Sequence, residues 1–275
     1  VSQARVIVFG NEKGGAGKTT VAIHLITALL HEGASVATID LDLRQQSMAH
    51  FFTSRRAWCA SAGVALPMPL ADIAGGALAL TKAHAEDAPG MFDSLFADAV
   101  AEADYLVIDT PGGDTALSRT AHGRADLIVT PMNDSFVDFD LLGQVDPVTL
   151  DLVRPSIYSE TVWESRKIKM AERRTSIDWV VLRNRLATTE ARNRRRIEER
   201  MVALARRVGF RISPGLRDRV IYRELFPFGL TVADLSPGVR PVPVSLTHVA
   251  ARQELRTLTQ ELGLPLFPPR ILAAS

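Results

Sequence analysis

The apolar positions of this chain gather into short dense runs separated by stretches of helical spacing. Val6-Ile7-Val8-Phe9, Ser35-Val36-Ala37-Thr38-Ile39, Tyr105-Leu106-Val107-Ile108, Asp126-Leu127-Ile128-Val129-Thr130 and Asp178-Trp179-Val180-Val181-Leu182 are rich in β-branched residues and nearly unbroken. Such runs predict strands buried on both faces. Between them the period changes. Val21, Leu25, Ala28 and Leu29 share one face of 18–31, which Gly33 stops; Phe92, Leu95, Phe96, Ala99 and Val100 share another face, and Ile197, Met201, Leu204 and Val208 a third. Phe136, Phe139 and Leu142 also fall at helical spacing, 163–174 reads as a polar, exposed helix, and a last helix is expected around 248–262. The alternation predicts an α/β protein: a mostly parallel twisted sheet flanked by helices on both faces, as one domain over 1–275. Residues 51–100 are the least patterned, with Phe51, Phe52 and Trp58 as local core.

Directly after the first expected strand stands Gly10-Asn11-Glu12-Lys13-Gly14-Gly15-Ala16-Gly17-Lys18-Thr19-Thr20, and a helix begins near Lys18. Glycines at 14, 15 and 17 let successive backbone N–H groups turn toward one point, where a side chain would block a phosphate. The helix N-terminus adds its partial positive charge there. Lys18 then supplies a point charge for the β- and γ-phosphates, and Thr19 a hydroxyl for Mg²⁺. The loop departs from the simplest triphosphate pattern, because Glu12 stands where that pattern has glycine, and it carries a second lysine, Lys13.

Ligands of open α/β sheets bind at the carboxyl ends of the strands. Three strand ends supply carboxylates or an amide there. Asp40 and Asp42 close the second strand and point the same way by its period of two; either they cap the following helix or they serve metal and water beside the triphosphate. Asp109 closes the third, before the turn Pro111-Gly112-Gly113, and after such a loop it reads as the carboxylate that holds Mg²⁺ through water, with the turn as a switch sensing the γ-phosphate. Asn184 and Arg185 close the fifth, where an amide matches the edge of adenine or belongs to a turn.

Lys13-Gly14-Gly15-Ala16-Gly17-Lys18-Thr19 resembles the deviant P-loop of the ParA/MinD group of ATPases. That resemblance implies a P-loop NTPase fold, ATP and Mg²⁺ as cofactors, slow hydrolysis to ADP and phosphate, and an ATP-sandwich homodimer in which Lys13 reaches across to the nucleotide of the other subunit. It further implies a magnesium role for Asp40, positioning of the hydrolytic water by Asp42, and reading of the base by Asn184 and Arg185, with Gly14 to Thr20 around the phosphates.

Charge adds a candidate surface. Thirteen arginines against four acids between Arg183 and Arg223 give this stretch +9 in a chain of net charge +1. Arg194 and Arg195 have glutamates four residues on, whereas Arg192, Arg196, Arg200 and Arg207 form a stripe with little acid beside it. The stripe invites phosphate contacts without base reading, that is, non-specific DNA; with 27 arginines against 5 lysines overall, a compositional habit is the other reading. Cys59 is the single cysteine, which excludes an intramolecular disulfide and a cysteine-paired iron–sulfur site in this chain, and the first residues lead into a strand with no apolar leader. A cytoplasmic protein is expected. Pro265, Pro268 and Pro269 break the end of the chain, so no membrane-binding terminal helix is expected.

Stretches 130–140, 184–194 and 215–230 resemble, more narrowly, the branch of the ParA/MinD group that places the division plane in certain bacteria. This implies a monomer recruited to the cell poles by ParB, and an ATP dimer that binds nucleoid DNA and blocks polymerisation of FtsZ. A ParA-type partition ATPase moving a DNA cargo shares every nucleotide residue named above.

Overall fold

The computed structural model describes residues 3–264 except 71–86, 134–135, 147–148, 150, 185–190, 237 and 240–244; at 136–138, 145 and 191–197 it describes the backbone alone. Its core is a six-stranded sheet of β1 (Arg5–Phe9), β2 (Val36–Asp40), β3 (Tyr105–Asp109), β4 (Leu127–Asn133), β7 (Asp178–Asn184) and β8 (Arg211–Pro214), in the order β2-β3-β1-β4-β7-β8. Every neighbouring pair is parallel. A separate antiparallel pair, β5 (Gly143–Val145) with β6 (Leu152–Pro155), lies between β4 and β7 in the chain.

The chain passes to one side of β1 for β2 and β3 and to the other for β4, β7 and β8, so the carboxyl end of β1 opens at the point where the winding reverses. Register brings the candidate residues to one level: Phe9 pairs with Asp109, Asp40 with Asp109, and Asn133 with Asn184.

Strand side chains alternate between two cores. Val6, Val8, Leu106, Ile108 and Val181 pack on one face with α3 (Ala88–Glu102), α4 (Ala116–Arg124) and α5 (Ile157–Arg173). Ile7, Phe9, Val107, Val129 and Val180 pack on the other with α1 (Lys18–His31), α2 (Ser47–Ala62) and α8 (Leu246–Glu261). From Val21 to Leu30 every residue of α1 is buried, so this helix is sealed all round rather than amphipathic.

Two expectations are corrected. The helix expected over 163–174 begins at Ile157, because the Ser156 hydroxyl receives the Ser159 amide (3.0 Å) as an N-cap. It is not an exposed helix: Tyr158, Val162, Ser165 and Lys169 form a buried stripe. The basic helix α6 (Ala191–Leu204) buries Met201 and Leu204 as expected, then widens into a π-turn over Ala205–Gly209 that buries Val208 and ends with Gly209 at φ 85°. A short α7 (Val220–Leu225) follows β8. Among the described residues no helix is long and apolar enough to cross a membrane.

Candidate functional site

Strand β1 ends and the loop turns at once. Asn11 is buried, its carboxamide bridging the loop to β4: Oδ1 accepts the Lys13 amide (2.7 Å) and Nδ2 donates to the Pro131 carbonyl (2.5 Å). Gly15 at φ 77° and Gly17 at φ 88° hold left-handed backbone that side chains resist, and α1 starts one residue later. Lys18 is buried in the loop's own hollow, its ammonium donating to the carbonyls of Asn11 (3.2 Å) and Lys13 (3.1 Å). Burial lowers its pKa, against the pull of Asp109 and Asp42.

A cavity of about 810 Å³ opens over this loop, lined by Gly14, Gly15, Gly17, Lys18, Thr19 and Thr20, by Asp42 and Arg44 after β2, and by Thr110, Pro111 and Gly112 after β3. Lys13 is not part of that lining. The turn 111–113 sits close on the loop: a Cβ on Gly112 would come within 3.2 Å of the Gly14 amide nitrogen.

The donors around Thr19 and Asp109 suit Mg²⁺ with a triphosphate. Asp109 is buried; Oδ2 accepts from Thr19 Oγ1 (2.5 Å) while Oδ1 has no hydrogen-bond partner. Burial first, then Asp40 and Asp42, push its pKa up to about 7, and burial pushes Asp40 to about 6. Two buried carboxylates paired on adjacent strands with an orphaned oxygen are a place for a hard cation. Among the described residues no cluster of three or more His, Cys, Asp or Glu would hold a metal alone, so phosphate and water oxygens must complete the shell. The residues fit.

Asp40 is engaged by backbone at both carboxylate oxygens. Its Oδ1 accepts the Asp42 amide (3.0 Å) and its Oδ2 the Met48 amide (3.1 Å), so its contacts cap the start of α2 and fix the loop that carries Asp42. The capping alternative thus describes its bonding, and its charge stands behind Asp109. Asp42 is half-buried, faces the cavity and accepts the Gln45 amide (3.1 Å).

Asn184 lies against the phosphate loop. Its Nδ2 donates to the Ala16 carbonyl (2.9 Å), and a Cβ on Gly17 would meet that nitrogen at 2.4 Å. The carbonyl fixes the amide's orientation, leaving Oδ1 buried and unpaired at a second cavity of about 110 Å³. Leu216, Arg217, Arg219, Tyr222 and Phe226 complete that cavity, a wall the sequence reasoning missed because only their return to β7 reveals them. Arg185 lies outside the described residues.

The model of the family described as ATPase MipZ matches residues 5–266. The chain belongs to the MipZ family. Like this MipZ-family chain, three solved structures share its fold: McdA from Cyanothece in complex with ATP (16% identity, 96% of this chain and 98% of that one, TM-score 0.57), a plasmid partition protein from Borrelia burgdorferi bound to AMPPNP (13%, 94% and 100%, 0.54), and the septum site-determining protein MinD from Pyrococcus horikoshii with Mg-ADP (19%, 94% and 96%, 0.53). An iron–sulfur cluster carrier protein from Deinococcus radiodurans is 31% identical over 150 residues, which cover 48% of this chain and 42% of that relative. The family is one of P-loop ATPases, and ATP with Mg²⁺ is the ligand pair its site is built to take.

Of the arginines expected to meet DNA, Arg192, Arg194, Arg195 and Arg196 fall where side chains are not described. Arg200 does not extend an outward stripe: it is half-buried with its guanidinium 5.8 Å from the Phe139 ring centre. Arg207 is exposed and pairs with Asp151 (3.0 Å).

Proposed function

We propose that this MipZ-family chain is an ATP-operated dimer switch with slow ATPase activity that positions cell division. The observation that carries the reading is a phosphate loop with two lysines, of which Lys18 lines its own cavity and Lys13 does not. A second lysine in the loop, outside the lining of its own cavity, suits the terminal phosphate of a second copy, the role an arginine finger fills elsewhere.

Within one subunit, the glycine amides and Lys18 bind the phosphates. Thr19 and Asp109, with Asp40 behind them, would hold the metal, which when bound would neutralise charge on the phosphates. Asp42, fixed through Asp40, orients the attacking water from the opposite wall. Gly112 lies near enough to the loop for the turn 111–113 to register a terminal phosphate. Asn184 offers an acceptor to the exocyclic amine of adenine, and Arg185, the next residue in the chain, is proposed to share in reading the base.

Family membership supports the coarser statement, a positioning ATPase. The finer one is that the ATP dimer inhibits FtsZ polymerisation and binds DNA non-specifically through Arg192, Arg194, Arg195, Arg196 and Arg207, that the monomer binds ParB, and that polar enrichment follows. Pull-down against FtsZ and against a centromere complex separates this reading from a partition motor, with FtsZ retained. Sedimentation with a non-hydrolysable ATP analogue tests the switch itself: the wild type is expected to double in mass, and Lys13→Ala to bind the analogue yet stay monomeric. Unchanged dimerisation of Lys13→Ala would refute the proposal.

A further inference from the structure

Behind the phosphate loop runs a line of buried polar groups that no step above uses. Trp179 Nε1 lies 3.0 Å from Thr130 Oγ1, Thr130 Oγ1 lies 2.8 Å from Tyr158 Oη, Tyr158 Oη lies 3.4 Å from His122 Nε2, and His122 Nδ1 lies 2.6 Å from the Ser118 carbonyl. A carbonyl only accepts, so His122 carries a hydrogen on Nδ1. Burial lowers the His122 pKa and favours the neutral ring, whose Nε2 then accepts from the Tyr158 hydroxyl. The Tyr158 oxygen is left to accept from Thr130, which itself accepts from the indole N–H of Trp179.

This line joins four elements, β7, β4, α5 and α4, and two of its features point toward the nucleotide site. Helix α4 begins three residues past the turn 111–113, and Thr115 Oγ1 caps it by accepting the Ser118 amide (3.1 Å). The middle of the line lies under the first residue of the phosphate loop: a Cβ on Gly10 would stand 2.2 Å from His122 Nε2 and 2.7 Å from Tyr158 Oη. Glycine at position 10 thus clears room for the hydroxyl and the ring. A cavity of about 10 Å³ beside them is shared by Glu12 of the loop, Gly113 and Asp114 of the turn, and His122 and Tyr158. Loop, turn and polar line meet at one point.

We propose that Tyr158 is a positioning residue for the nucleotide switch: through His122 it seats α4, and with it the turn 111–113, against the phosphate loop at Gly10. The link to hydrolysis rests on the function proposed above, but the seating is tested without nucleotide. Tyr158→Phe removes one oxygen and strands the Thr130 donor and the His122 acceptor in a buried site. In nucleotide-free protein, amides 113–122 of Tyr158→Phe are expected to exchange about five- to tenfold faster than in wild type, the factor a hydrogen bond of ordinary net strength gives. Imidazole ¹⁵N spectra of wild type are expected to show His122 as the neutral Nδ1–H tautomer. With ATP, kcat falls about fivefold or more while analogue affinity stays within twofold. His122→Gln, which keeps an acceptor near the Nε2 position, is expected to keep wild-type exchange and kcat, and His122→Leu to lose both, so this pair decides the matter should Tyr158→Phe misfold. Unchanged exchange over 113–122, or the Nε2–H tautomer, overturns the seating. Faster exchange with unchanged kcat overturns its link to the switch. A wild type that hydrolyses no ATP refutes the proposed function instead, and leaves exchange and tautomer to decide the seating.

Discussion

Asn184 enters its cavity with half of its hydrogen-bonding capacity committed. Its amide nitrogen is held by the Ala16 carbonyl, so only an acceptor remains. That arrangement favours a base carrying an amine over one carrying a carbonyl at the same edge, and Asn184→Leu is expected to weaken ATP binding by about 1–3 kcal/mol and to narrow the preference over GTP, as read by calorimetric titration. His24 makes a prediction about stability. It is buried on α1, donates to the Thr20 carbonyl (2.8 Å) and has its pKa lowered by burial to about 4. Because the folded value lies below the unfolded one, near 6.5, the unfolded chain binds the extra proton between pH 6.5 and 4, and stability falls as pH falls through that window by up to about 3 kcal/mol. Asp40 and Asp109, raised rather than lowered, act with the opposite sign, so the urea-unfolding slope of wild type minus that of His24→Leu isolates the histidine. At this scale the chain was legible where a residue's role follows from its place on a strand, turn and helix: Lys18, Thr19 and Asp109 converge as their spacing requires. Asn11 was not, because its partner, the Pro131 carbonyl, lies 120 residues away, and nothing in an asparagine after a strand announces a partner so distant.

Helix α2 is pinned by a buried ion pair that its sequence does not advertise. Arg55, fully buried, donates to both oxygens of Asp234 (2.8 and 2.7 Å) and to the Gly229 carbonyl (3.0 Å), and His31 meets the same carboxylate at 2.7 Å. Burial pushes the Asp234 pKa up, but the Arg55 and His31 hydrogen bonds outweigh it and hold the carboxyl well below the usual range. Gly229, at φ 64°, lies so close to Arg55 that a Cβ would meet its backbone nitrogen at 2.1 Å. Arg55→Met is expected to cost about 3–5 kcal/mol by leaving the carboxylate buried and uncompensated, whereas Arg55→Met with Asp234→Leu recovers most of the loss; chemical denaturation checks both. The strand runs and α1 were readable because their periodicity is local. Residues 51–62 were not, since the helix that carries Arg55 buries few residues of its own face, Met48, Phe51, Phe52 and Arg55, and owes its place to loops from the far end of the chain. The missed start of α5 has a similar cause: a serine cap and a buried stripe of Tyr, Ser and Lys disguise a core-facing helix as a polar one.

The whole molecule carries the test of the switch. If the second lysine acts across a dimer, turnover per subunit rises with protein concentration, by as much as about 10³ to 10⁵ between monomer and dimer, the range an added cationic finger gives; turnover independent of concentration where monomers dominate would contradict this. Asp42→Ala is expected to yield a long-lived ATP dimer, visible as slow dissociation after dilution. A basic helix presented twice by that dimer would bind DNA with a steep salt dependence, and filter binding at 50 and 200 mM salt measures the slope. The sheet's class could be read from the alternation of strands and helices, but its order could not, because nothing in β8 or in the short hairpin of β5 and β6 distinguishes an edge strand from a loop. One contact then has a consequence for how the molecule is made. Arg55 and Asp234 are 179 positions apart, so at ordinary rates of synthesis the arginine waits about 10 to 35 s on the ribosome before its carboxylate exists. Until then α2 lacks the ion pair that ties it to the loop at Gly229 and Asp234, and the nascent chain carries Arg55 without its carboxylate.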